Sequence, residues 1–154
     1  MSRPVARNLR INRDELHDLL RVRHRAVLLT TRRDGRAQLS PVTCGLDARG
    51  LVTIATYPSR AKVANIRREP QASLCVVSDE WDGPWVQLDG RAEVVDLPAA
   101  EDGLVEYYRA ISGEHPDWAE YRRAMRRRGK CLIRVEIERW GPMATGGFPP
   151  EPAA

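Results

Sequence analysis

The sequence predicts a mainly β, α+β domain built as a six-stranded antiparallel barrel with flanking helices. Short apolar or alternating runs recur along the chain with turn residues between them. Hairpin signals such as Asp34-Gly35 join neighbouring runs locally. Helical periodicity is confined to a few stretches, too few to cross over between parallel strands.

The elements follow in order. Asn12 with Glu15 three residues on makes a capping-box start for a first helix, with Ile11 and Leu16 placed as a hydrophobic staple. Residues 25–31 (RAVLLTT) read as a buried strand, and Asp34-Gly35 turns the chain into a second strand over 36–44. Pro41 interrupts that strand, which implies an edge or a bulge with free backbone groups. After a turn at 47–50, residues 51–56 (LVTIAT) form a third strand that runs straight into a short helix opened by Ser59 and closed by Pro70. Strands four and five cover 71–77 and 85–95, the latter bent near Gly90. Helical pattern covers 99–111 and 116–128, with Gly129 as a C′ stop. Residues 130–136 alternate as the sixth strand.

At 154 residues and 42% hydrophobic composition, a single domain over 1–154 is expected to bury roughly two thirds of its unfolded surface. Residues 1–10 and 141–154 are expected to be irregular tails. No run approaches the ~18 apolar residues of a membrane span, and MSRPVARNLR lacks the apolar stretch of a signal peptide, so a cytoplasmic protein is expected.

The most informative segment is 57–70, YPSRAKVANIRREP. With Ser59 as N-cap, Arg60 and Lys62 fall in the first turn, where orphan N–H groups carry partial positive charge and favour acidic side chains. The other helix starts follow that rule: Asp14 and Glu15 after Asn12, Glu101 and Asp102 after Pro98, Asp117 after Pro116. Reversed charge at one helix start points to an anion, most simply a phosphate held by backbone N–H groups, the Ser59 hydroxyl, Arg60 and Lys62. Solvated cations on an arginine-rich surface are the plainer alternative.

A net charge of +4 and the run Arg122, Arg123, Arg126, Arg127, Arg128, Lys130 raise the question of nucleic acid. Lys62 and Lys130 are the only lysines among 25 basic residues, a bias that a GC-rich coding sequence produces as readily as phosphate binding. No nucleic-acid module accompanies the charge, and no nucleic-acid or membrane partner is expected. Cys44, Cys75 and Cys131 sit apart in strand-like stretches and read as buried free thiols. His17, His24 and His115 have no metal-ligand spacing, and no metal is expected. Nor is there a Ser/His/Asp triad or a paired-carboxylate signature. Among the tryptophans, Trp85 shares a strand face with Gln87, which makes these two the candidates for a substrate pocket, with core packing as the alternative.

The element order and the words along it resemble the pyridoxamine 5′-phosphate oxidase-like superfamily, whose fold is the six-stranded FMN-binding split β-barrel. YPSRAKVANIRREP is similar to its phosphate-binding segment. DGRAQLSPV (34–42) and YYRAISGEHPDWAEYRRAM (107–125) resemble the actinobacterial branch that uses the deazaflavin coenzyme F420 in place of FMN. The resemblance implies one flavin- or deazaflavin-binding domain, and a homodimer with cofactor sites in clefts at the subunit interface. It places Ser59, Arg60, Ala61, Lys62 and Asn65 at the cofactor's phosphate and the start of its acidic tail, with Gln38, Ser40, Pro41 and Val42 along the ring. Gln38 and Ser40 share a strand face, as any solvent-facing strand pair would. The reaction it implies is hydride transfer from reduced deazaflavin to a conjugated small-molecule acceptor, with the cofactor carrying the chemistry and no protein residue assigned as catalytic. An FMN-binding oxidase or reductase of the same fold, or a non-catalytic cofactor carrier, are the alternatives.

Overall fold

The computed structural model describes residues 4–152. In order it runs β1 (Arg7–Leu9), α1 (Arg13–Val22), β2 (Arg25–Thr31), β3 (Ala37–Thr43), β4 (Gly45–Leu46), β5 (Val52–Thr56), α2 (Ala61–Arg68) and β6 (Gln71–Val76). It continues with β7 (Val86–Val95), α3 (Glu101–Ser112), α4 (Trp118–Arg128), β8 (Cys131–Trp140) and β9 (Met143–Thr145). One antiparallel sheet takes the order β3-β2-β6-β7-β8-β5-β4 and curls until β3 comes back against β5. It has seven strands where the sequence suggested six, because the residues just before the 47–50 turn form the two-residue strand β4 against β5.

The expected irregular tails are also corrected. β1 and β9 pair with each other as a two-stranded ribbon. Gly146 and Gly147 let the chain fold back so that Phe148 N–H reaches the Pro4 carbonyl and Ala6 N–H the Phe148 carbonyl. That Pro- and Gly-rich tail pairs through backbone groups, a pattern that hydrophobic alternation cannot reveal.

Local rules account for most of the rest. The Asn12 capping box forms in full, and Ile11 and Leu16 both pack into the core. Gly129 caps α4 in the left-handed region (φ 63, ψ 39). The β7–β8 register slips between Asp89 and Gly90, and the close approach there requires glycine, since a Cβ at Gly90 would overlap the Glu136 carbonyl oxygen. β8 runs on to Trp140, past the expected end at residue 136, because Gly141 N–H still bonds to the Gln87 carbonyl.

The core has two layers. Leu28, Ile54, Leu74, Leu88 and Ile133 fill the barrel, and Leu16 and Leu20 of α1 plug one end. On the other side of β5 and β8, Leu132 meets Leu104, Tyr121 and Met125 from the α3–α4 hairpin. Among the described residues, no helix covers the outer face of β3-β2-β6-β7, and the terminal ribbon borders it only at the Trp85 end, where Ala144 bridges Trp85. That outer face carries the rows Pro41–Val27–Cys75–Gln87 and Leu39–Leu29–Ser73–Asp89. Cys75 is therefore only half-buried, whereas Cys44 and Cys131 are buried as expected. Among the described residues, no helix is long and apolar enough to cross a membrane.

Candidate functional site

The site begins where β5 hands over to α2. Thr56 is paired with Cys131, so the next residue, Tyr57, emerges beside Lys130. The Lys130 ammonium lies 4.3 Å from the centroid of the Tyr57 ring, and the Arg60 guanidinium 5.8 Å from it. Arg60, not Ser59, is the N-cap of α2, and no side chain caps the helix. Ser59 is instead exposed in the turn that Arg60 N–H closes onto the Tyr57 carbonyl. The expected Ser59 cap fails because that turn sets the helix start one residue later.

The result is a strong donor set with little to neutralise it. The N–H groups of Ala61 and Lys62 meet no acceptor, and no acidic residue lies in the first turn. Among the described residues, no carboxylate lies within 4 Å of Arg60, Lys62 or Lys130. Burial pushes the Lys62 ammonium below the usual lysine range, and Arg60 pushes it further. An anion placed here meets free N–H groups, a helix N-terminus and three cations.

The second half of the site is the free edge of β3, which pairs with β2 alone. Arg32 N–H bonds to the Arg36 carbonyl and Cys44 N–H to the His24 carbonyl, which fixes the alternation between them. Even-numbered residues of β3 bond to β2, and odd-numbered ones point their backbone outward along the edge. Pro41 is odd, so its missing N–H costs no ladder bond, and its carbonyl is open along the edge. This is the edge position that the proline predicts.

Gln38, Ser40 and Val42 point inward, on the face shared with Thr30, Leu28 and Ala26. The Ser40 hydroxyl oxygen is buried without a hydrogen-bond partner. An orphan of this kind costs about 1–3 kcal/mol unless something completes it. Gln38 is held from both ends: its Oε1 accepts from the Thr30 hydroxyl (3.2 Å) and its Nε2 donates to the Leu39 carbonyl (3.3 Å).

Asn65 sits elsewhere than its expected place at the phosphate. It is 7% exposed, beneath α2. Its Nδ2 donates to Thr30 Oγ1 (3.1 Å) and its Oδ1 accepts from Arg68 (3.0 Å). Asn65 thus ties α2 to β2 and, through Thr30, to Gln38. Its part is to position the anion-binding turn relative to the β3 edge.

Trp85 and Gln87 are not brought to this place. Both belong to the outer face of the sheet, where they line a cavity of about 370 Å³ with Asp89, Arg139 and Trp140. Asp89 accepts from Ser73 (2.6 Å), Arg139 (2.8 Å) and Gln87 (3.3 Å), and these bonds, that from Ser73 foremost, hold its carboxyl below the usual range. Within one chain, this cavity shares no lining residue with the α2 junction or the β3 edge. The arginine run is largely committed as well. Arg122 and Arg126 pair with Glu101, and Arg123 and Arg127 with Glu120. Among the described residues, Arg128 and Lys130 have no ion-pair partner. Lys130 is the member of the basic run that sequence reasoning could not single out, since only the Thr56–Cys131 register reveals its place beside Tyr57.

Among the described residues, no cluster of His, Cys, Asp and Glu is arranged to hold a metal. A structure of the conserved hypothetical protein Rv2991 from Mycobacterium tuberculosis is similar over 88% of this chain and 86% of its own, at 20% identity and a TM-score of 0.72. A structure named as an F420 reductase is similar over 81% of this chain and 94% of its own, at 17% identity and a TM-score of 0.62. The heme storage protein HutZ from Vibrio cholerae is similar over 88% and 95%, at 17% identity and a TM-score of 0.65. At these identities the likeness is one of fold. A family model described as pyridoxamine 5′-phosphate oxidase matches residues 13–144.

Proposed function

The chain belongs to the pyridoxamine 5′-phosphate oxidase family, and from that premise we propose that it is an oxidoreductase using coenzyme F420 to reduce a conjugated small molecule. The observation that carries the reading is the uncompensated positive junction of Arg60, Lys62 and Lys130 beside an open strand edge. A phosphate diester followed by a chain of carboxylates matches that charge better than a compact phosphate does, because Lys130 extends the cations beyond the helix start.

Each residue then has a task. Ala61 and Lys62 offer N–H bonds to the phosphate, Arg60 and the Lys62 ammonium neutralise it, and Asn65 holds α2 in register with β2. The Ser40 hydroxyl and the outward backbone of Leu39 and Pro41 offer hydrogen bonds to the polar edge of a planar ring, with Val42 supplying apolar contact. When bound, the reduced deazaflavin supplies the hydride. The protein binds, orients and excludes water.

The bare outer face of β3-β2-β6-β7, with Leu39 60% and Trp85 41% exposed, supports a homodimer in which that face is covered by a second copy. Trp85 and Gln87 of one protomer would then wall a cleft shared with its partner.

The test is a parallel fluorescence titration with F420 and FMN at two salt concentrations. Tight, salt-weakened binding of F420 over FMN is expected. Preference for FMN would transfer the protein to flavin chemistry, and binding of neither would remove the cofactor role.

A further inference from the structure

The segment 107–125 folds into the α3–α4 hairpin, which the junction does not use. Between that hairpin and β5 lies a cavity of about 370 Å³. Its walls are aromatic: the rings of Tyr108, His115 and Tyr121 stand 5.0 to 5.5 Å apart, and Met125 completes the lining.

The polar groups around it divide cleanly. The Tyr121 hydroxyl is spent on the Leu104 carbonyl (2.9 Å), and the Glu120 carboxylate on Arg123 and Arg127. His115 Nδ1 accepts from Asp117 N–H (2.9 Å), so the neutral ring carries its proton on Nε2. The Tyr107 hydroxyl donates to the Thr43 carbonyl (3.0 Å), and among the described residues the groups left without a hydrogen bond or ion pair are the His115 Nε2–H, the Tyr108 hydroxyl, the Arg128 guanidinium and the Lys130 ammonium, the last resting on the Tyr57 ring. Three of these four only donate, and two are cationic. A cleft with apolar walls and spare donors is matched by an anionic acceptor on a short or flat apolar body.

We infer that the α3–α4 cleft is a carboxylate-binding subsite, in which Arg128 and Lys130 take the charge while His115 and Tyr108 bond the carboxylate oxygens. The donor set is present whichever cofactor binds, so the inference does not rest on the F420 assignment. The carboxylate has two sources. Lys130 also lies over Tyr57 at the α2 junction, so an acidic chain leaving a phosphate there reaches the cleft by passing that ring. A free aromatic acid fills the same donors.

The experiment uses the full chain and its Lys130→Ala, Arg128→Ala and His115→Phe variants, each checked for a wild-type melting temperature. Benzoate is titrated while backbone amide NMR shifts are followed. F420 carrying its glutamyl tail is titrated in parallel with FMN, which has a phosphate and no tail. Loss of affinity by about threefold to tenfold for tailed F420, with FMN unchanged, supports the subsite and assigns it to the cofactor tail. The same loss for benzoate, with amide shifts centred on α3 and α4, supports it and assigns it to a free acid. Unchanged binding of both probes in folded variants overturns the subsite. Equal loss for FMN also overturns it, because Lys130 would then belong to the phosphate site. Either failure leaves the anion site at Arg60 and Lys62 standing, since that site is tested by Lys62, and removes Lys130 as a ground for preferring a tailed cofactor.

Discussion

Lys62 is the residue at which the charge of the junction is most costly. Its pKa is lowered by burial and by Arg60. Between that lowered value and the ordinary one near 10.4, the unfolded chain holds more protons, so the intrinsic contribution of Lys62 to stability rises with pH in that window. A bound phosphate reverses the balance by stabilising the ammonium. Binding should therefore take up a proton, and affinity should fall as the pH rises towards the ordinary lysine range, earlier than an unperturbed lysine would give. Titrations across that range, repeated with Lys62→Ala, check it: the variant should bind at least about fivefold more weakly and lose the alkaline limb, with its melting temperature nearly unchanged. A variant of wild-type affinity would remove the anion from this helix start. Asn65 behaves differently, being buried and bonded to Thr30 and Arg68. Asn65→Ala should cost about 1–3 kcal/mol of stability by leaving Thr30 and Arg68 short of partners, and a denaturant melt within error of wild type would contradict that role.

At the scale of elements, close backbone approach decides more than propensity. Gly90 lies where β7 crosses β8, and a Cβ there would overlap the Glu136 carbonyl and come within 2.8 Å of Val135. Gly129 has nothing within 4 Å and needs only its left-handed φ of +63. Gly90→Ala should therefore destabilise by about 2–3 kcal/mol and Gly129→Ala by about 1 kcal/mol, compared by urea midpoints at equal m-value. Equal costs would mean that the strand crossing is looser than it looks. Signals of this local kind explain why so many elements were legible in the sequence. The Asn12 box, the Asp34-Gly35 turn, the Pro41 edge and the Gly129 cap each act within a few residues of themselves. The Ser59 cap was misjudged because Arg60 N–H closes a turn onto Tyr57 first, a competition between two local options that residue type does not rank. β1, β4 and β9 escaped because they are short and held by backbone pairing, with no alternation to betray them.

For the whole molecule, half of the site is a property of pairing across the sheet, and it is there that sequence reading ran out. Arg60 and Lys62 were visible as a charge reversal. Lys130 needed the β5–β8 register, and the separation of Trp85 and Gln87 from α2 needed the curl of the sheet. That separation bears on assembly. A sheet face with Leu39, Val27, Leu29 and Cys75 in adjacent rows has no helix over it among the described residues, whereas the opposite face lines the core and the far side of β5 and β8 meets the α3–α4 hairpin. Apolar rows of this kind are what a two-fold interface buries, and a two-fold axis presents each partner with the same rows. Light scattering should therefore give a mass of about 35 kDa, twice the 17.4 kDa chain. Leu39→Glu tests the face directly, because Leu39 is exposed in the isolated chain and a carboxylate there leaves the fold intact while opposing its burial between copies. The variant should run as a folded monomer near the single-chain mass and bind cofactor at least about tenfold more weakly, since the cleft would lose the wall supplied by the partner. A Leu39→Glu protein that stays dimeric would move the interface to another face, and a monomer with undiminished affinity would show that one barrel holds the cofactor alone.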